Sequence, residues 1–107
     1  MSHRKDQILE LLKENPDDVF LNYALGLEYF SENNLNLAEQ QMKKVVQIDA
    51  NYTSAYYQLG LILIEQNKEQ EALEYLKKGL EIALEKNNLK EISEFKSLIT
   101  NIKNELI

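Results

Sequence analysis

The 107 residues amount to one domain's worth of chain, and an apolar share of 44% with a charged share of 28% argues for a folded protein over a disordered one. Twelve Lys and Arg against eighteen Asp and Glu leave a formal net charge of −6, and with both signs interspersed and no basic stripe the chain is a poor partner for nucleic acid or anionic membrane. The absence of cysteine excludes disulfides, thiolate metal sites and cysteine nucleophiles together.

From the N-terminus, residues 1–6 turn charged without an apolar stretch, unlike a secretory signal. No apolar run exceeds the four residues 61–64, far short of the roughly 18 that a membrane span needs, so a cytoplasmic location is expected. Three Gly and one Pro are too little punctuation for an all-β domain, and the apolar spacing is helical throughout. It predicts helices over 3–15, 19–33, 36–49, 53–66, 69–86 and 89–106. Asp17 or Asp18, just after Pro16, suits the N-cap of the second helix, and Asn36 with Glu39 that of the third. Asn33 and Asn67 fall where helices must stop, and Asn accepts the left-handed conformation of a helix end. Glu69 and Glu71 open the fifth helix, where negative charge favours the helix dipole. Asn88 with Glu91 is expected to cap the sixth, whose apolar stripe runs through Leu89, Ile92, Phe95, Ile99, Ile102 and Leu106.

The chain also repeats itself at an offset of 34. Leu25-Gly26 recurs as Leu59-Gly60, Asn33 as Asn67, Ala38 as Ala72, Lys43-Lys44 as Lys77-Lys78, and Ile48 as Ile82. A Gly inside a helix costs about 1 kcal/mol relative to Ala, so Gly26 and Gly60 point to a close approach of a second helix. Ala38 and Ala72 are the expected small residues facing them.

Leu25-Gly26-x-x-Tyr29 followed by Ala38-x-x-x-Met42, and Tyr56-x-x-Leu59-Gly60 followed by Ala72-x-x-x-Leu76, resemble the tetratricopeptide repeat, a 34-residue helix–turn–helix unit. The resemblance implies one all-α domain over 1–107, a right-handed superhelical stack of antiparallel helix pairs. Its parts would be a partial repeat over 1–18 ending near Pro16, full repeats over 19–52 and 53–86, and a capping helix over 87–107. Departures from the pattern are Asn22 in place of a bulky aromatic, and Ala50 and Leu84 in place of the terminal proline. The chain is similar to the short, stand-alone two-repeat members of bacteria.

In this family the first helices of successive repeats line a groove that binds peptides or helices of partner proteins. Carried over residue by residue, the groove comprises Phe20, Tyr23, Leu27 and Phe30, then Ser54, Tyr57, Leu61 and Ile64. Each set steps by three, four and three along one helical face. Members that clamp a C-terminal carboxylate use Lys and Asn at places held here by Tyr23, Leu27 and Tyr57, so an apolar, aromatic contact is expected in place of a carboxylate clamp. The reading is an interaction module or adaptor. Its alternatives are a homodimer built on the stripe of the last helix and, remotely, a small-ligand binder. No phosphate loop, metal-ligand spacing or Ser-His-Asp set can be assembled, and His3, the lone histidine, lies in the first turn. No cofactor, metal or catalysis is expected.

Overall fold

Three asparagines with left-handed backbone punctuate the fold: Asn33 (φ 60°), Asn67 (φ 62°) and Asn87 (φ 54°). Each ends a helix in the same way. The Asn N–H bonds the carbonyl three residues back, and the next N–H bonds the carbonyl five back, as in Asn33 to Phe30 (2.9 Å) and Asn34 to Tyr29 (2.9 Å). The same pair of bonds recurs at Asn67–Lys68 and Asn87–Asn88. In this computed structural model, residues 3–106 are described, the last two by their backbone alone. They form α1 (His3–Glu14), α2 (Val19–Ser31), α3 (Leu35–Ile48), α4 (Thr53–Glu65), α5 (Glu69–Glu85) and α6 (Leu89–Leu106). Among the described residues there is no strand.

The helices fall into two compact units, Met1–Ala50 and Asn51–Ile107. In the first, α1 seats Ile8 against Ala24 and Leu25 of α2, with Leu12 and Tyr29 at the margin. Full burial of one such side chain is worth about 1.5–3 kcal/mol. Around this contact Arg4 pairs with Glu28 (3.6 Å), and Lys5 pairs with Glu32 (3.0 Å) while its Nζ lies 5.7 Å from the Tyr29 ring centre. The hydrogen bond to Glu32, aided by the charge of the same carboxylate, holds the Lys5 ammonium above the ordinary lysine value of 10.5. Asp18 is the N-cap of α2, its carboxylate accepting from Leu21 N (2.8 Å).

Asn22 is the buried polar group of this unit and is fully satisfied. Its Nδ2 donates to the carbonyls of Pro16 (2.9 Å) and Asp18 (2.8 Å), and its Oδ1 accepts from Gln41 Nε2 of α3. The residue that departs from the family's aromatic therefore ties the turn before α2 to the helix after it.

The turn into α3 corrects one expectation. The N-cap is Asn34, whose Oδ1 accepts from Leu37 N (3.4 Å), whereas Asn36 already lies inside the helix. The left-handed Asn33 turns the chain so tightly that the very next residue is placed to cap. Asn87-Asn88 repeats the device, with Asn88 Oδ1 accepting from Glu91 N (3.1 Å) as expected. At Asn67-Lys68 the second asparagine is missing, and α5 has no side-chain cap.

A second correction concerns the glycines. The atoms that occupy the space beside Gly26 and Gly60 belong to Met42 and Leu76, one turn beyond the expected Ala38 and Ala72. A Cβ on Gly26 would lie 2.7 Å from Met42 Cε, and one on Gly60 would lie 2.6 Å from Leu76 Cγ. The small alanines are buried, but the glycines make room for large side chains descending from the partner helix.

The second unit has the larger apolar core. Tyr56, Leu59, Ile62 and Leu63 of α4 and Ala72, Leu73 and Leu76 of α5 are buried, and α6 closes the unit with Phe95, Ile99 and Ile102. Gly79 of α5 receives the Phe95 ring, which a Cβ there would strike. Thr53, at the start of α4, donates to Glu91 of α6 (2.6 Å), and Lys86 reaches both Thr53 Oγ1 (3.4 Å) and the Asn51 carbonyl (3.3 Å). The stripe of α6 is thus largely absorbed within the unit. Leu89 stays 79% exposed, and the side chain of Leu106 lies outside the described residues.

Candidate functional site

Helix α2 owes its start to the Asp18 cap and its orientation to Gly26, which lets α3 press on one face. The face carrying Phe20, Tyr23, Leu27 and Phe30 remains outside the core. Phe20 is 63% exposed and the other three are half-buried. On α4, Gly60 sets the same relation to α5. There Ser54 is exposed, and Tyr57, Leu61 and Ile64 are half-buried. None of the eight belongs to the fully buried core, and each set lies along one face of its own helix.

Tyr57 is placed by its neighbours. Its ring meets Phe95 of α6 edge to face, with centroids 5.7 Å apart and planes at 75°, a favoured aromatic geometry. It also forms one wall of an open trough of about 290 Å³ between α4 and α6, completed by Ser93, Glu94, Ser97, Leu98 and Asn101. These α6 residues were not among those expected from the sequence.

The signal that locates them is one of register. Helix α4 opens at Thr53 and α6 at Leu89, an offset of 36 rather than 34, because α5 runs on to Glu85. At that offset Phe95 and Ile99 take the places of Leu59 and Leu63, all four buried. Ser93 and Ser97 then take the places of Tyr57 and Leu61. The first-helix face that is aromatic and aliphatic on α2 and α4 is therefore polar on α6.

Another hollow, about 490 Å³ and wide open, lies over α1 beside His3, Asp6, Gln7, Glu10 and Leu11. Among the described residues no cluster of three or more His, Cys, Asp or Glu could hold a metal ion. No helix among them is long and apolar enough to cross a membrane.

Helical hairpins closed over buried glycines, repeating at 34 residues and carrying one incompletely buried face per first helix, define a helical-repeat protein of the kind that binds other proteins. The tetratricopeptide repeat profile matches residues 21–52 and 53–86, and the chain belongs to that family. Similar structures agree on the fold. A tetratricopeptide repeat domain protein from Salinibacter ruber is 26% identical with a TM-score of 0.76, over 81% of this chain and 97% of that one. The TPR2B domain of yeast Sti1, solved in complex with pHsp70, gives 0.87 at 20% identity, over 94% and 81%. The Yersinia enterocolitica type III secretion translocator chaperone SycD, solved as an alternative dimer, gives 0.87 at 19%, over 94% and 77%. A comparison with curated proteins by sequence produced no match.

Proposed function

We propose that this protein is a non-catalytic interaction module that receives a peptide or helix of a partner protein on the first-helix faces of its repeats. The observation that carries the reading is the continuous, incompletely buried row of Phe20, Tyr23, Leu27 and Phe30 on α2, with its counterpart Ser54, Tyr57, Leu61 and Ile64 on α4. Aromatic side chains half-withdrawn from water are favoured binding anchors. Family membership supports protein binding as the general activity, and the Sti1 domain supports a peptide as the ligand type. Tyr23, Leu27 and Tyr57 at the clamp positions favour apolar contact over capture of a carboxylate.

The test is selection from a random twelve-residue peptide display library on the intact chain. Enriched sequences should bind the native protein and fail to bind a Tyr23→Glu/Tyr57→Glu variant whose helical circular dichroism is unchanged. Equal binding to the variant, or no enrichment, would remove the reading. The second reading, a homodimer, draws on exposed Leu84 and Leu89 and on the dimer of SycD. A strictly monomeric mass by light scattering across a wide concentration range would dispose of it.

A further inference from the structure

The trough between α4 and α6 differs in chemistry from the faces of α2 and α4, and the difference specifies a ligand. Five polar side chains converge on it: the Tyr57 phenol, the Ser93 and Ser97 hydroxyls, the Glu94 carboxylate and the Asn101 amide. Among the described residues none of these five has a side-chain hydrogen-bond or ion-pair partner. Lys90, one turn before Glu94, does not pair with it, so the carboxylate is not neutralised from within.

Hydroxyls and a carboxamide both donate and accept, as a peptide backbone requires, whereas an ionised carboxylate only accepts and favours a cation. Spacing decides between an extended chain and a compact molecule. Ser93, Ser97 and Asn101 follow one another at four-residue steps, about 6 Å apart along a helix. An extended peptide presents like-facing groups every two residues, about 6.6 Å apart. The trough is open to solvent and gives a small molecule little enclosure.

Resting on the binding reading above, we infer that this trough takes an extended, basic peptide segment. Its backbone hydrogen-bonds along Ser93, Ser97 and Asn101, and a Lys or Arg side chain lies across Tyr57 and Leu98 to reach Glu94. The net charge of −6 favours the encounter.

The experiment titrates the intact ¹⁵N-labelled chain with three probes and follows its amide resonances. The probes are capped octapeptides alternating Lys with Ala or Glu with Ala, and spermine as a cation without a backbone. The Lys–Ala peptide should move the resonances of Tyr57 and residues 93–101 saturably, and the Glu–Ala peptide should not. Glu94→Gln should weaken the Lys–Ala peptide roughly five- to tenfold, and Glu94→Lys should invert the preference between the peptides. Because Glu94 is exposed, neither change threatens the fold. Ser97→Ala with Asn101→Ala should weaken the peptide and leave spermine unaffected. Silence of α6, equal response to both peptides, or spermine binding as well as the peptide would each overturn the inference. Library peptides that need Tyr23 and Tyr57 but carry no basic residue would sink it while the module reading survives; an empty selection would sink that reading instead.

Discussion

The two repeats solve one packing problem with different residues at the same positions. In the first, Asn22 and Gln41 join α2 to α3 through a part-buried hydrogen bond; in the second, their counterparts 34 residues on, Tyr56 and Tyr75, join α4 to α5 through rings 6.5 Å apart and tilted at 38°. Below that pair, Gly26 meets the flexible tip of Met42, while Gly60 meets the branch point of Leu76. The turn between the helices is capped by Asn34 in the first repeat and uncapped at Lys68 in the second. Close helix approach over a glycine is common to both. The residues above and below it are free to be polar or aromatic provided that the buried groups are satisfied.

Substitution at the glycines should separate the repeats most. Gly60→Ala places a methyl against Leu76 Cγ, which cannot withdraw without moving its helix, and overpacking of this kind costs about 1–3 kcal/mol. Gly26→Ala meets the Met42 side chain, with Cε at 2.7 Å, Sδ at 3.1 Å and Cγ at 3.3 Å, but this chain is flexible, and the helix-propensity gain of about 1 kcal/mol offsets much of the strain. Urea denaturation followed by circular dichroism should show a clear loss for the first and little change for the second; equal losses would break the distinction. Next in size, Asn22→Leu strands the Pro16 carbonyl and the Gln41 amide, with an expected loss of about 1–2 kcal/mol. Asn22→Tyr combined with Gln41→Tyr imports the solution of the second repeat and should recover part of that loss in the same assay. In the opposite direction, Lys68→Asn supplies the missing cap and should raise stability by about 0.5–1 kcal/mol. An unchanged urea midpoint would mean that the cap geometry of Asn34 does not transfer.

The smallest effect concerns pH. Since the Lys5 pKa is raised in the folded chain, its contact with Glu32 contributes fully at pH values below 10.5 and fades as pH climbs through the elevated folded value. A comparison of the native chain with Lys5→Met should show a stability gap that persists at neutral pH and narrows only at strongly alkaline pH.

Most of this architecture was legible in the sequence because local signals and the 34-residue offset agree. Helix ends at Asn33 and Asn67 follow from the backbone tolerance of asparagine, and the burial of Phe95, Ile99 and Ile102 on α6 follows from spacing. What escaped notice was geometric. Asn36 with Glu39 has the residue types of a capping box, but the left-handed Asn33 brings Asn34 to the cap first. Ala38 and Ala72 look like partners for glycine by size, yet helical side chains lean toward the N-terminus, so Met42 and Leu76 arrive there instead. The α6 wall of the trough is not marked by the 34-residue offset, because α5 has 17 residues against 14 in α3 while the turn after it is one residue shorter, which puts Ser93 and Ser97 out of that register. The residue sets on α2 and α4 are what the resemblance to the family implies, and a step of three, four and three is consistent with one face each, but the ligand they would meet is not written in that step.

The fit of Gly60 under Leu76 also bears on how such a chain can change over generations. Enlarging Gly60 is harmful unless Leu76 shrinks at the same time, and shrinking Leu76 alone leaves a cavity, so each single step is worse than either end point. Met42 gives the first repeat an escape from this coupling, because its flexible side chain can follow a change at Gly26. Drift should therefore accumulate one residue at a time in the first hairpin, while in the second the pair is replaced together or held.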